Sequence, residues 1–279
     1  MRERPVSAPL PGGRLSLRHG PIDLVIGAEG PGRAAALEAA EARFATILEE
    51  LCAELPLLRR PVAERPEGET ARLMWAATRP HADRAFVTPM AAVAGAVAET
   101  VLAAMRRAGP LARAHVNNGG DIALHLSPRE TFDAAIRAPD GREIGRFRLS
   151  AGGGIGGVAT SGRGGRSFSL GIAESVTVLA ETAAAADAAA TLIGNAIDLP
   201  GHPAITRAPA RSLAPDSDLG ERPVVTGLGP LSPAESRCAL AAGLAEARRM
   251  RAAGLIRGAV LALGGETLML DPEERLAHA

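Results

Sequence analysis

The amino-acid sequence predicts an α+β fold in which antiparallel sheets pack against helices, within one domain spanning residues 1–279. Two observations carry the class. Strand-like runs come in neighbouring pairs joined by short turns rich in Gly, Pro, Asn and Asp, the usual connection of antiparallel strands. Between them lie blocks with apolar residues every three or four positions, the period of a helix with one buried face. No internal repeat and no sharp change of composition divides the chain.

In RLSLRHGPIDLVIGAE, residues 14–29, apolar residues alternate on both sides of Gly20-Pro21, which predicts a hairpin. A helix follows, with Phe44, Ile47, Leu48, Leu51 and Leu55 on one face and Pro56 as its stop. Residues 56–72, rich in Pro, Glu and Arg, are expected to be an exposed loop. A second helix opens with Thr88 as N-cap and Pro89 at the first position, carries Val93, Val97, Val101 and Met105, and ends at Gly109-Pro110. Its small residues allow a close neighbour.

Strands are expected at 113–117, 121–126, 131–138 and 142–149, the last two joined by a Pro-Asp-Gly turn at 139–141. A glycine-rich loop, a strand at 174–180 and an alanine-rich helix from about Thr182 to Ala196 come next. Residues 199–231 read as a long irregular connection. The last helix starts with a capping box, Ser232-Pro233-Ala234-Glu235, and buries Leu240, Leu244 and Ala247. Strands at 258–263 and 266–270 turn at Gly264-Gly265.

An apolar fraction of 47% supports a sizeable core. With 31 basic and 31 acidic residues there is no global field to attract nucleic acid or an anionic membrane, and 2% aromatics leave few platforms for stacking bases. All the basic residues are arginine, and tyrosine does not occur either. Schiff-base chemistry, a P-loop lysine and a phenolic acid or base are therefore excluded. Cys52 and Cys238 have no second thiol at zinc-site spacing and are expected to be buried. The N-terminal MRERPVSAPLPGG lacks an apolar secretory core, and the most apolar helix, containing Asp187, is too short for a membrane span; a cytoplasmic location is the expectation.

Gly152, Gly154 and Gly157 fit G-x-G-x-x-G, but no helical pattern follows them, so a dinucleotide fingerprint is not supported. There is no G-x-S-x-G elbow and no H-E-x-x-H pair. The segment HVNNGGDIALHL, residues 115–126, has two strand-like halves around Asn-Asn-Gly-Gly-Asp: either a plain hairpin or a turn whose bare backbone meets a ligand. His115 and His125 flank it as surface or hairpin histidines. On the alanine-rich helix Asp187 and Thr191, four residues apart, place a carboxylate and a hydroxyl on one face, with room for an ion or a phosphate. Mg²⁺ takes such oxygen ligands. The competing reading is an acid favoured near a helix N-terminus by the dipole.

Three separated segments resemble the ApbE family, the FAD-dependent protein FMN transferases. HVNNGGDI is similar to that family's N-x-G-G-D-I, GVATSG to its A-T-S-G turn, and SVTVLAETAAAADAAATLIG to its S-V-T-V strand followed by a helix with D-A-x-x-T. The resemblance covers about residues 88–194. VTPMAAVAGAVAE looks closer to an uncharacterised sister family: the enzymes' lysine here is absent, Ala94 preceding Gly95, and RSFSLGIAE stands in place of their histidine-containing segment.

The resemblance implies an ApbE-like α+β fold that binds FAD, with Mg²⁺ at the pyrophosphate, and transfers FMN to a threonine or serine hydroxyl of an acceptor protein while AMP leaves. Residue by residue it implies Asp187, Thr191 and a main-chain carbonyl near Val93 as metal ligands. It implies Asn117, Gly119, Gly120, Asp121, Thr160, Ser161 and Gly162 at the nucleotide. Arg163 or Arg166 can supply the positive charge that lysine cannot. Two other classes stay open: a non-catalytic protein binding a flavin or a pterin-like cofactor, and a homo-oligomeric interaction protein whose glycine-rich loops serve subunit contacts.

Overall fold

The computed structural model describes residues 4–137, 143–165 and 167–271. The chain forms two compact units, one of Met1–Asp133, Arg148–Ala159 and Ala180–Asp187, the other of Ala134–Phe147, Thr160–Leu179 and Ala188–Ala279. Helices and antiparallel strands make up both, as the α+β class requires.

In the first unit, strands β1 (Val6–Leu10), β2 (Arg14–His19), β3 (Ile22–Glu29), β4 (Arg113–Asn118) and β5 (Asp121–Leu126) lie side by side in chain order, each antiparallel to the next. Alternation decides their faces: Leu24 and Ile26 of β3 and Ala114 and Val116 of β4 are buried. Four helices belong to this unit, α1 (Arg33–Ala53), the short α2 (Leu55–Leu58), α3 (Glu69–Thr78) and α4 (Val93–Ala108). Helix α1 buries Ala36, Ala40, Phe44, Ile47 and Leu51 along one face. Helix α4 is buried nearly all round, which its Gly and Ala content allows. Among the described residues Pro89–Ala108 is the one helical stretch long and apolar enough to cross a membrane, and 61% of its apolar window is buried inside the fold, as in a core helix.

Strands β6 (Thr131–Arg137) and β7 (Glu143–Ser150) pair as a separate two-stranded sheet. The Pro-Asp-Gly turn expected between them lies outside the described residues. Strand β8 (Gly157–Ser161) continues the sheet of the first unit through Ile122↔Val158 and Ala123↔Gly157. In the second unit β9 (Ser175–Ala180) and β12 (Gly258–Leu263) are antiparallel and buried along their length, and β13 (Glu266–Leu270) flanks β12. Helix α5 (Ala183–Ala196) begins in the first unit and ends in the second. Strand β10 (Ile205–Pro209), the turn α6 (Ala210–Leu213) and β11 (Pro223–Leu228) precede α7 (Pro233–Ala252), which packs on β12 and β13.

The capping box of α7 is formed as expected. The Ser232 hydroxyl accepts from the Glu235 N–H at 3.3 Å and the Glu235 carboxylate accepts from the Ser232 N–H at 2.7 Å. Removing the hydroxyl in Ser232→Ala is expected to lower stability by about 1 kcal/mol, read from the denaturant midpoint.

Several expectations are corrected. The loop placed at 56–72 is partly helical: Pro56 sits in the first turn of α2, where its missing N–H costs nothing, and α3 starts at Glu69. Thr88 makes no side-chain cap, and Pro89–Ala92 is a 3-10 turn before α4 proper. The glycine-rich run contains β8. Residues 199–231 contain the β10–β11 pair, whose prolines Pro209 and Pro223 face each other at its end, where no ladder N–H is needed. Cys52 and Cys238 are exposed, because they fall on the outward faces of α1 and α7.

Candidate functional site

The β4–β5 turn is as tight as a hairpin allows. Asn118 pairs with Asp121, so Gly119 and Gly120 alone make the loop, at φ 67° and 116°. Both values are left-handed, the conformation a two-residue hairpin demands and glycine adopts without steric penalty. The Asn117 Oδ1 accepts from the Gly120 N–H at 2.8 Å and rigidifies the turn. A Cβ built on Gly120 would meet nothing within 4 Å, so the backbone is open there. The two residues beside the glycines, Asn118 and Asp121, are buried.

That hairpin is joined to the start of α4, where the Asn118 amide donates to the Ala94 carbonyl at 3.1 Å. The helix has no side-chain cap of its own. Its cap comes from α5, as the Asp187 Oδ2 accepts from the Gly95 N–H at 2.9 Å. In return, the Glu99 Oε2 accepts from the Ala184 N–H at 3.3 Å in the first turn of α5, whose Thr182 hydroxyl also accepts from the Ala185 N–H at 3.2 Å. Each helix thus supplies a carboxylate to the positive end of the other. They touch closely, since a Cβ on Gly95 would stand 2.3 Å from the Ala183 carbonyl oxygen.

Burial first, and the negative charge of Asp121 second, push the Asp187 carboxyl well above the ordinary aspartate range, against the opposing hydrogen bonds from Gly95 and Ala94. Glu99 is raised as well, by burial first, although the Ala184 N–H and Thr182 favour its ionised form. A carboxylate held in a buried place beside another acid is stabilised by a proton or by a cation.

Thr191, half-buried, follows Asp187 by one turn of α5, in the part of the helix that belongs to the second unit. Val93 is the first residue of α4, with helical backbone angles. Among the described residues no three His, Cys, Asp or Glu side chains gather as a metal cluster. In the second unit, Thr160 and Ser161 end β8 and Gly162 follows; the Thr160 hydroxyl bonds that of Thr177 at 2.9 Å. Gly162 leaves no room for a side chain, as its Cβ would lie 2.3 Å from the Glu174 carbonyl oxygen. Arg163 faces Glu174 at 3.9 Å, so its charge is already matched, and Arg166 lies outside the described residues. Gly95, Asn118 and Glu99 were not anticipated; the small-residue content of α4 was the signal available for Gly95.

This architecture is that of the ApbE proteins. The structure resembles the ApbE protein of Thermotoga maritima (TM-score 0.55, 12% identity, 98% of each chain) and the flavinyl transferase ApbE of Pseudomonas stutzeri (TM-score 0.51, 14% identity, 97% of this chain and 95% of that one). The family model described as AbpE bacteria matches residues 7–269, and the chain belongs to that family. In sequence it is similar to a UPF0280 protein of Methanopyrus kandleri, 41% identical over 128 residues, which are 46% of this chain and 48% of that one. A UPF0280 protein of Methanothrix thermoacetophila is 39% identical over 118 residues, 42% and 49% of the two chains. The chain spans about half the length of these curated relatives. It is thus an ApbE-like protein closer to an uncharacterised family than to the transferases.

Proposed function

We propose that the protein is a cytoplasmic flavin-nucleotide-binding member of the family that takes FAD with Mg²⁺, and that it cleaves FAD or transfers FMN to an acceptor protein. The observation that carries this reading is Asp187, a buried carboxylate beside Asp121 at the α4 start, on the helix that matches the transferases' D-A-x-x-T. Asp187 and Thr191 hold the cation, with a main-chain oxygen near Val93. Gly119 and the open backbone of Gly120, with Asn117 and Asp121, and the Thr160-Ser161-Gly162 turn are the residues assigned to the nucleotide. Mg²⁺ supplies charge neutralisation at a pyrophosphate, a reaction class in which positioning and electrostatics outweigh covalent participation by the protein.

A second reading, binding without turnover, is favoured by one observation: the chain contains no lysine, and RSFSLGIAE replaces the histidine segment of the transferases. Flavin fluorescence titration of FAD into the protein, with Mg²⁺ and again with EDTA, tests both. Micromolar binding that weakens in EDTA, followed by AMP release and flavin on an acceptor, is the expected result. Binding with no AMP released leaves the second reading, and no binding in either condition overturns both.

A further inference from the structure

On the strand that ends in Asn118, the residues of the opposite face line a separate cavity of about 400 Å³. Alternation along β4 puts Ala114, Val116 and Asn118 on the buried side and Arg113 and His115 on the other. The cavity is walled by Gly12, Gly13 and Arg14 at the β1–β2 turn, by Gly27 and Glu29 of β3, by Arg113 and His115, and by Thr131, Phe132 and Asp133 of β6.

Its floor is built for a flat ring. Gly27 stands opposite His115 in the β3–β4 register, and a Cβ there would lie 2.3 Å from the imidazole Cε1, so the ring lies directly over the glycine backbone. The Phe132 ring stands 5.4 Å from the imidazole, tilted by 55°. Among the described residues the His115 ring nitrogens meet no hydrogen-bond partner. Burial first, then the charge of Arg14, depresses the His115 pKa, with Glu29 opposing and Arg113 reinforcing, so the ring is neutral at pH 7 and offers one donor and one acceptor.

The charges at the wall are unequally committed. Arg113 is paired with Glu29 at 2.8 Å, and Asp133 receives two hydrogen bonds from Arg148 at 2.8 and 3.1 Å. Among the described residues Arg14 bonds the Pro11 carbonyl alone, through Nε at 3.1 Å, which leaves its two terminal amino groups for a planar anion. The volume falls in the ordinary range of small-ligand sites.

The geometry points to a second binding site, for a small planar heteroaromatic acid whose ring packs on His115 and Phe132 and whose carboxylate pairs with Arg14. It does not depend on the flavin reading, because none of its residues belongs to the Asp187 centre. Fluorescence titration with pterin-6-carboxylate as probe tests it. Saturable binding is expected, unchanged by EDTA, unaffected by saturating FAD, and about ten-fold weaker in Arg14→Gln, the loss expected for one charge-assisted hydrogen bond. Arg14 is exposed at the strand end, so this variant leaves the core intact. No saturation at millimolar probe, equal affinity in Arg14→Gln, or displacement by FAD would overturn the assignment.

Discussion

Asp187→Asn is expected to abolish the Mg²⁺ dependence of flavin binding while the protein stays folded. The asparagine oxygen can still accept from the Gly95 N–H, so that bond of the α4 cap is kept while the charge and one acceptor oxygen are lost. Asp187→Ala removes the acceptor too, leaves a buried N–H unsatisfied, and is expected to cost about 2 kcal/mol. The pH dependence separates these effects. The folded-state pKa of Asp187 is raised, so its contribution to stability is complete below the ordinary aspartate pKa of about 4 and is lost as pH rises through the raised value. In EDTA the wild type should therefore lose stability relative to Asp187→Asn as pH rises above that point, with added Mg²⁺ restoring it. Thermal melts across pH, with and without Mg²⁺, read this directly. An unchanged Mg²⁺ dependence in Asp187→Asn would remove the residue from the site.

The largest loss of stability is expected from Gly95→Ala. The added methyl would stand 2.3 Å from the Ala183 oxygen, 2.6 Å from its carbonyl carbon and 2.9 Å from the Ala184 nitrogen. These are main-chain atoms of α5, and no rotamer change relieves the clash. The helices must separate, which also breaks the Asp187 and Glu99 caps, so a loss of about 3 kcal/mol or more is expected in denaturant unfolding. A loss under about 1 kcal/mol would mean that the crossing opens freely.

Local chemistry made much of the fold legible. The Ser232 capping box, the Gly119-Gly120 turn, the Gly20-Pro21 hairpin and the α1 face depend on residues within a turn or two of each other. The failures involve residues shaped by distant neighbours. Gly156 and Gly157 read as loop, yet their missing side chains are required by contact with main-chain atoms of Glu181, Thr182 and Ala183, and that contact keeps β8 in its sheet. Likewise α4 begins at Val93 and not beside its apparent N-cap Thr88. Of the candidate site, the Asp187 and Thr191 spacing and the Asn117–Asp121 turn were readable. The nearness of Asp121 to Asp187 was not, because it exists only once a hairpin and a helix far apart in sequence have packed.

The mutual capping of α4 and α5 also ties the start of each helix to a distant part of the chain. Asp187 and Gly95 are 92 residues apart, and Glu99 and Ala184 are 85 apart. As the chain leaves the ribosome, α4 is made long before either acceptor or donor on α5 exists, and its first turn has no local substitute. Closing so long a loop is entropically costly, so the N-terminal turn of α4 gains its cap from tertiary packing and not from its own sequence. The proposed cation site is thus completed only once α5 has been made and has packed against α4.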